Sequence, residues 1–272
     1  MTETTFFQTP NGALAVHQSE GSGPPIMLVH GNSCSARSFS RQLEGSLGRR
    51  RRVVAIDLLG HGRSDDASDP IAYRPPGHAG ALATAVEALG LGEAVFVGWS
   101  LGGHIVLEAS PALPAARGFA IFGAPPLAFP PAMDRAFLPN PAMGAAFSEA
   151  ITRDQAEAFI AACFAPDAAD IPKFFLEDVL RTDGRAQAQL VASIAPGGYL
   201  DEAQAVAELK RPLAVLQGAR EQLVNGAYFA DLVMPTLWRG AVQTIAGVGH
   251  TPQWEDAPAF DALLEAFAID CA

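Results

Sequence analysis

The chain has 272 residues, 49% of them hydrophobic and 17% charged, which suits one large α/β domain with a sizeable buried core. Its net charge is −11. This charge disfavours nucleic acid and anionic membranes as partners, because both attract basic surfaces, and it favours a neutral small-molecule substrate.

Short apolar runs bounded by turn residues predict buried strands. In chain order they are "PIMLVHG", "RRVVAIDL", "AVFVGW", "GFAIFGA", "PLAVLQG" and "VQTIAG". Amphipathic stretches between them predict helices, including "HAGALATAVEALG", ended by Gly90, and "DAPAFDALLEAFAID", capped by Asp256. The alternation indicates a mostly parallel sheet covered on both faces, and "NGALAVHQSE" predicts an antiparallel hairpin at one edge.

The strand pattern stops between residues 125 and 207. "APPLAFPPAMDRAFLPNPAMG" is crowded with Pro, Phe and Met, whereas "SEAITRDQAEAFIAACFA" and "KFFLEDVLRTDGRAQAQLVASI" predict helices. A helical insertion between two strands of a parallel sheet predicts a cap over the strand ends. The predicted domains are therefore a core of residues 1–124 and 208–272 and a helical cap or lid of residues 125–207.

"GWSLGG" matches G-x-S-x-G between a predicted strand and a predicted helix, where the pattern marks a nucleophilic serine. A sharp turn there strains the backbone of Ser100, and Gly98 and Gly102 leave room for neighbouring chain. The hydroxyl would stand at a helix N-terminus, whose dipole favours developing negative charge. Ser100 is the predicted nucleophile, and the alternative is a tight turn with an idle serine.

Serine needs a base, and His250 in "GVGHTPQWED" follows the last strand in a glycine-rich loop. Glu221, three residues after Gly218 and the next-to-last strand, could orient the imidazole and hold its tautomer. Asp is the usual residue at such a place, so the longer Glu221 would require a slightly different loop path. His250 and Glu221 complete the predicted catalytic triad.

The other histidines and nearby acids are weaker candidates for the triad. His104 is interpreted as a packing residue on the helix after the nucleophile. His30 and His61 follow strands and are predicted to shape the pocket rim. Glu202 precedes a strand and is expected at its wrong end for catalysis.

The reaction also needs an oxyanion hole, for which the backbone N–H groups of Asn32 and Leu101 are the candidates. The predicted substrate contacts are Gly31, Trp99, Phe137, Phe159 and Trp254. A wider set of aromatic and Met side chains in the cap could line an acyl-chain pocket, of which we expect two to four to touch a ligand. These are Phe129, Met133, Phe137, Met143, Phe147, Phe159, Phe164, Phe174 and Phe175.

The order Ser…Glu…His resembles the α/β-hydrolase fold along nearly the whole chain. "HGNS", "DLLGHGRSD", "GWSLGG", "GAREQLV" and "GHTPQWEDAPAF" fall at that family's usual places. The resemblance implies an α/β fold whose mostly parallel eight-stranded sheet carries helices on both faces and a helical cap inserted after strand 6. Ser at the elbow speaks against epoxide hydrolases and haloalkane dehalogenases, and "HGN" differs from the "HGGG" of many lipases and esterases.

The chain is similar more specifically to the metal-independent N-acyl-homoserine lactonases, which degrade quorum-sensing signals. "HGNSCS", "GWSLGGHI", "RTDGRAQ" and the Glu of "GAREQLV" carry this similarity. It implies that Ser100 attacks the lactone carbonyl, His250 transfers the proton to the leaving alkoxide, and water releases an N-acyl-homoserine. That group can carry a Tyr where this chain has Phe159, a departure that bears on substrate recognition.

The sequence is also compatible with other functions. One is a carboxylesterase or another lactonase, such as an enol-lactone hydrolase, with the same triad. The others are a cofactor-free perhydrolase or haloperoxidase-like activity and a non-catalytic ligand receptor on the hydrolase fold.

The sequence also gives expectations for cofactors, the cellular compartment and the oligomeric state. No compact His/Asp cluster such as HxHxDH occurs, so we expect no metal and no cofactor. Cys34, Cys163 and Cys271 are odd in number and widely spaced, which predicts free thiols in a reducing compartment. With neither a signal-peptide pattern nor a long apolar segment, the expectation is a cytoplasmic monomer or homodimer that acts on an acyl lactone or ester.

Overall fold

Eight strands form one sheet in the computed structural model, which describes residues 2–194 and 197–272. The strands are β1 (Glu3–Thr9), β2 (Gly12–Gln18), β3 (Gly23–Val29), β4 (Arg51–Ile56), β5 (Val95–Trp99), β6 (Gly118–Phe122), β7 (Leu213–Gly218) and β8 (Gln243–Ile245). Their order is β1-β2-β4-β3-β5-β6-β7-β8. Strand β2 runs antiparallel to β1 and β4 and all other neighbours are parallel, which confirms the predicted sheet and its edge hairpin.

The helices fall between the strands, as the apolar periodicity predicts. The α-helices among the described residues are α1 (Ser40–Glu44), α2 (Ser46–Arg50), α3 (Pro75–Ala88), α4 (Leu101–Ala109), α5 (Met133–Ala136), α6 (Arg153–Ala162), α7 (Lys173–Arg181), α8 (Gly184–Ser193), α9 (Glu202–Glu208), α10 (Pro252–Glu255) and α11 (Ala257–Asp270). Asp256 caps α11 by accepting a hydrogen bond from the Ala259 N–H at 3.1 Å, as expected. None of the helices in these ranges is long and apolar enough to cross a membrane.

Alternate strand residues feed two separate cores, one on each face of the sheet. On one face Ile26 and Leu28 belong to a cluster with residues of α1 and α11. On the other face Met27 and Val29 pack in a cluster with residues of α3 and α4. Successive side chains of a strand point to opposite faces, and both faces of this sheet are covered by helices, so each strand contributes to both clusters. This arrangement confirms the α/β class.

A helical insertion follows β6 and precedes β7, as predicted. The stretch expected to be helical around "RTDG" forms two helices, because Thr182 and Asp183 interrupt it and Asp183 caps α8. Residues 195 and 196 of the predicted cap lie outside the described residues. The last helix of the predicted cap, α9, packs against α4 of the core.

The insertion is tied to the loop between β4 and α3 by the "RTDGRA" segment. The Asp183 N–H donates to the Gly60 carbonyl at 2.9 Å, and the Tyr73 hydroxyl donates to the Asp183 carboxylate. Arg185 Nε donates to both oxygens of that carboxylate, at 3.1 and 2.9 Å, and Arg181 Nη2 donates to the Ser64 carbonyl at 3.0 Å. This segment, singled out in the sequence, therefore clamps the cap to the core.

Candidate active site

Ser100 occupies a strained turn between β5 and α4. Its φ of 52° and ψ of −122° lie in a region that residues with a side chain rarely adopt. A Cβ on Gly98 would lie 2.3 Å from the Gly102 carbonyl oxygen, and one on Gly102 would lie 2.1 Å from the Val29 oxygen. The sequence G-x-S-x-G is thus required sterically, and it leaves the Ser100 side chain on the cavity wall.

His250 and Glu221 form a buried pair beside this turn. Nδ1 of His250 lies 2.8 Å from Oε2 of Glu221, and both side chains are 4% exposed. The other carboxylate oxygen, Oε1, accepts from the backbone N–H groups of Gln222 and Leu223 at 3.0 and 2.9 Å. These two bonds turn Oε2 towards the ring, so Nδ1–H donates and Nε2 is left as the basic nitrogen. The ring and the Ser100 side chain line the same cavity.

The loop that carries His250 is held from three sides. The Trp99 indole Nε1 donates to the His250 carbonyl at 2.7 Å. Glu255 Oε1 accepts from the N–H groups of Gly249 and Thr251 at 2.9 and 3.3 Å, and its Oε2 accepts from Ala165 in the insertion at 2.8 Å. Sequence reasoning missed Glu255, although its place in the first turn after a glycine-rich loop is the position of a capping carboxylate.

The two predicted oxyanion donors flank Ser100. A Cβ on Gly31 would lie 3.1 Å from the Ser100 Cβ, so the loop after β3 runs directly beside the elbow. Neither the Asn32 nor the Leu101 N–H donates to any residue in the described part of the chain. The Asn32 side chain is committed elsewhere, because its Nδ2 donates to the Ala146 carbonyl at 2.7 Å.

The insertion closes an apolar cavity over Ser100. Phe137 and Phe159 line it, as predicted, with Asn32 and Leu101. Of the wider set proposed from the sequence, five line the cavity: Met133, Phe137, Met143, Phe147 and Phe159. Phe129 instead packs on Tyr199, and the rest form an aromatic cluster of Phe164, Phe174 and Phe175.

Three residues predicted to contact the substrate, Gly31, Trp99 and Trp254, do not line the cavity. Gly31 lies beside Ser100 and Trp99, where an added Cβ would be 3.1 Å from the Ser100 Cβ and 3.2 Å from the indole. Trp99 is 1% exposed and holds the His250 loop. Trp254 packs edge-on against Phe174 with the Arg41 guanidinium 4.4 Å from its ring.

The roles predicted for three other histidines are also wrong. His30 and His61 do not form the rim, because both are fully buried and hydrogen-bonded to backbone, His30 to Gly31 and to the Leu58 N–H after β4, and His61 to Leu59. His104 is more than a packing residue, since it lines the cavity and its Nδ1 lies 2.8 Å from Glu202 Oε2. Glu202 reaches the cavity because α9 packs beside α4, a neighbourhood that the order of elements along the chain does not reveal.

In residues 2–194 and 197–272, no group of three or more His, Cys, Asp or Glu side chains is arranged to hold a metal ion.

Comparison with known proteins gives matches along most of the chain. The model of a family described as "Alpha/beta hydrolase family" matches residues 26–263. A pimeloyl-[acyl-carrier protein] methyl ester esterase of Xanthomonas oryzae pv. oryzae (strain MAFF 311018) is 30% identical over 244 residues, which cover 85% of this chain and 90% of that protein. The enzyme of the same name from Stenotrophomonas maltophilia (strain R551-3) is 28% identical, and the match covers 91% of this chain and 93% of that protein.

Solved structures are similar along the whole chain. The N-acyl homoserine lactonase AidH, complexed with N-butanoyl homoserine, superposes with a TM-score of 0.95 at 36% identity and covers 99% of this chain and 97% of that one. A mutant of AidH complexed with N-hexanoyl homoserine lactone has a TM-score of 0.95 at 35% identity. The match covers 99% of this chain and 98% of that one.

Proposed function

Because the chain belongs to the alpha/beta hydrolase family, we propose that it is a serine hydrolase that opens the lactone ring of N-acyl-homoserine lactones. The observation that carries the proposal is the likeness to the lactonase AidH over 99% of the chain at 36% identity. The cavity above Ser100 supports it, because its apolar lining from the insertion suits an acyl chain.

In the proposed mechanism Ser100 Oγ attacks the lactone carbonyl carbon while His250 Nε2 takes the hydroxyl proton. Glu221 stabilises the imidazolium through the 2.8 Å contact with Nδ1. The oxyanion is held by the N–H groups of Asn32 and Leu101, which donate to no described residue. The C–O bond of the ring then breaks, and His250 returns the proton to the alkoxide.

The acyl-enzyme is resolved by the reverse sequence of proton transfers. His250 removes a proton from water, the hydroxide attacks the ester carbon, and the Ser100 oxygen leaves with the proton from His250. The product is the N-acyl-homoserine. One water is consumed, and no redox step occurs.

A second candidate is the cleavage of an acyl methyl ester. It is favoured by the sequence relatives of 28–30% identity, which are named pimeloyl-[acyl-carrier protein] methyl ester esterases. The same triad and the same apolar cavity would serve it, so only turnover separates the two candidates.

The test is proton release by the purified protein with N-butanoyl- and N-hexanoyl-homoserine lactone, beside methyl hexanoate and p-nitrophenyl acetate. We expect ring opening at a kcat/KM well above that for the simple esters, with the N-acyl-homoserine identified by mass spectrometry. Ser100→Ala and His250→Ala should each lower kcat by several orders of magnitude, since a triad acts as a unit.

The substrate that is cleaved distinguishes the two candidate functions. Ester cleavage without lactone opening would retain Ser100 and discard the lactonase proposal. Lactone opening that survives Ser100→Ala in a folded protein would refute the serine mechanism.

A further inference from the structure

The cavity contains a second His–Glu pair, separate from His250 and Glu221. His104 Nδ1 lies 2.9 and 2.8 Å from the two carboxylate oxygens of Glu202. Glu202 Oε2 also accepts from the Leu127 N–H at 2.8 Å, so the carboxylate is fixed by backbone as well as by the ring. The Glu202 side chain is 3% exposed and the His104 side chain 16%, so the accessible part of the pair is the imidazole.

The other polar side chains of the cavity outside the proposed reaction centre are committed to partners. The Ser193 hydroxyl donates to the Leu190 carbonyl at 2.6 Å, and the Tyr199 hydroxyl donates to the Ala128 carbonyl at 2.8 Å. Asn32 Nδ2 is bound to Ala146. Nε2 of His104 has no hydrogen-bond partner within residues 2–194 and 197–272, which leaves it to meet a ligand.

The carboxylate of Glu202 favours the protonated form of the His104 ring. Burial by itself lowers the pKa of His104, but the charge of Glu202 and the hydrogen bond to it outweigh burial and raise the pKa above its usual value. A protonated ring offers Nε2–H as a donor while Nδ1–H stays on Glu202. The acceptor must then be an oxygen of the substrate.

The distance from Ser100 indicates which oxygen. The His104 N–H donates to the Ser100 carbonyl at 3.4 Å, so one helical turn, a rise of about 5.4 Å, separates His104 from Ser100, and both side chains line the same cavity. In an N-acyl-homoserine lactone, acyl carbon 2 lies about 3.8 Å from the lactone α-carbon across the trans amide, and one more bond at each end puts carbon 3 about 6 Å from the reacting carbonyl.

We propose that His104, held by Glu202, donates a hydrogen bond from Nε2 to an oxygen on carbon 3 of the acyl chain, so that the enzyme prefers 3-oxoacyl over unsubstituted acyl substrates. This inference rests on the proposed function for its lactone form. The pair is a specificity-determining anchor in an otherwise apolar wall, and it takes no part in bond breaking.

The experiment compares kcat/KM for N-(3-oxohexanoyl)- and N-hexanoyl-homoserine lactone. A hydrogen bond to a charged donor is expected to favour the oxo substrate about tenfold in the unaltered protein. His104→Leu should reduce this ratio to about one through the loss of the donor, whereas His104→Gln should retain part of the preference because its amide N–H can replace Nε2–H.

Ser193→Ala is the matched control. It removes a hydroxyl from the same cavity, but one already bound to Leu190, so the tenfold ratio should persist. A ratio near one in the unaltered protein, or a ratio that survives His104→Leu, would overturn the inference.

A pair of methyl esters separates this inference from the proposed function. In methyl 6-oxoheptanoate the ketone carbon is as many bonds from the reacting carbonyl as carbon 3 is in the lactone. The lactones could be inert while the oxo ester is preferred over methyl heptanoate and loses this preference in His104→Leu. In that case the lactonase proposal fails, but the hydrogen bond from His104 to the substrate oxygen is supported. Lactone opening without any His104-dependent preference gives the opposite result, and inactivity on all four substrates overturns both.

Discussion

Glu221 fixes both the position and the tautomer of His250. Its Oε1 accepts two backbone N–H groups, so Glu221→Gln should keep the side chain in place but turn an NH₂ group towards Nδ1. His250 would then carry its proton on Nε2, where it cannot act as a base for Ser100. We expect kcat to fall about 10³–10⁴-fold, as for the amide variant of a triad acid.

The measurement is steady-state hydrolysis of the preferred substrate by a variant whose circular dichroism matches that of the unaltered protein. A loss of less than tenfold would mean that another carboxylate orients His250.

Gly123 is the residue that makes room for the His250 ring. Its φ is +60°, and a Cβ would lie 2.5 Å from His250 Cε1. Gly123→Ala should therefore displace the imidazole and strain the backbone, lowering kcat by about 10²-fold or more and the stability by about 1 kcal/mol or more.

Gly80→Ala is the control for this substitution. A Cβ there meets nothing within 4 Å, and Ala favours the interior of helix α3, so stability should rise by about 0.5–1 kcal/mol with unchanged kcat. The free energy of unfolding in urea and kcat, measured for Gly123→Ala and Gly80→Ala, check both predictions. Normal activity of Gly123→Ala would show that the ring tolerates displacement.

At the scale of elements, the cap position depends on the clamp around Asp183. Asp183→Ala would leave the Tyr73 hydroxyl, which is buried, without its acceptor and would remove the ion-pair partner of Arg185. Losing one partner of a buried polar group costs about 1–3 kcal/mol, so we expect a loss of stability in this range. KM should rise as well, because α8 carries part of the cavity wall.

Arg153→Ala in the same insertion is the comparison. Its pairing with Glu157 at 3.4 Å is exposed and joins residues four apart on α6, a type of contact worth about 0.5 kcal/mol or less. Urea unfolding and limited proteolysis of the cap should separate the two variants. Equal effects would refute the clamp.

At the scale of the whole molecule, buried neutral histidines make stability depend on pH. His30, His61 and His78 lie with successive ring centroids 5.3 and 6.3 Å apart, and burial lowers the pKa of each. For His78 the pKa falls to about 3, and neither ring nitrogen has a hydrogen-bond partner among the described residues. A pKa below its unfolded value means that the unfolded chain binds the proton first as pH falls.

His78→Leu should therefore flatten the acid limb of the stability curve. The neutral ring is compatible with the fold above the unfolded pKa of about 6.5, and its contribution to instability grows as pH drops below that value, reaching about 2 kcal/mol between pH 7 and pH 5. Urea unfolding of both proteins at pH 7 and pH 5 measures the difference. Parallel losses of stability would show that His78 is not neutral in the folded protein.

The strands, their order in the chain, the edge hairpin, the helical insertion and the elbow at Ser100 were all predictable from the sequence. Apolar runs, glycine spacing and caps such as Asp256 act through neighbours along the chain, so local chemistry specifies them. His250 and Glu221 were also found, because loops at the carboxyl ends of parallel strands meet at one edge of the sheet.

The polar side chains of the cavity wall and the places of two tryptophans follow from helix packing in three dimensions. His104 and Glu202 meet because α9 folds back onto α4 after the insertion, and Trp99 and Trp254 are drawn into packing around the His250 loop and the aromatic cluster. These contacts join residues 80 or more positions apart, and such pairings follow from how whole helices pack. A sequence pattern, which reports periodicity within one element, carries no record of them.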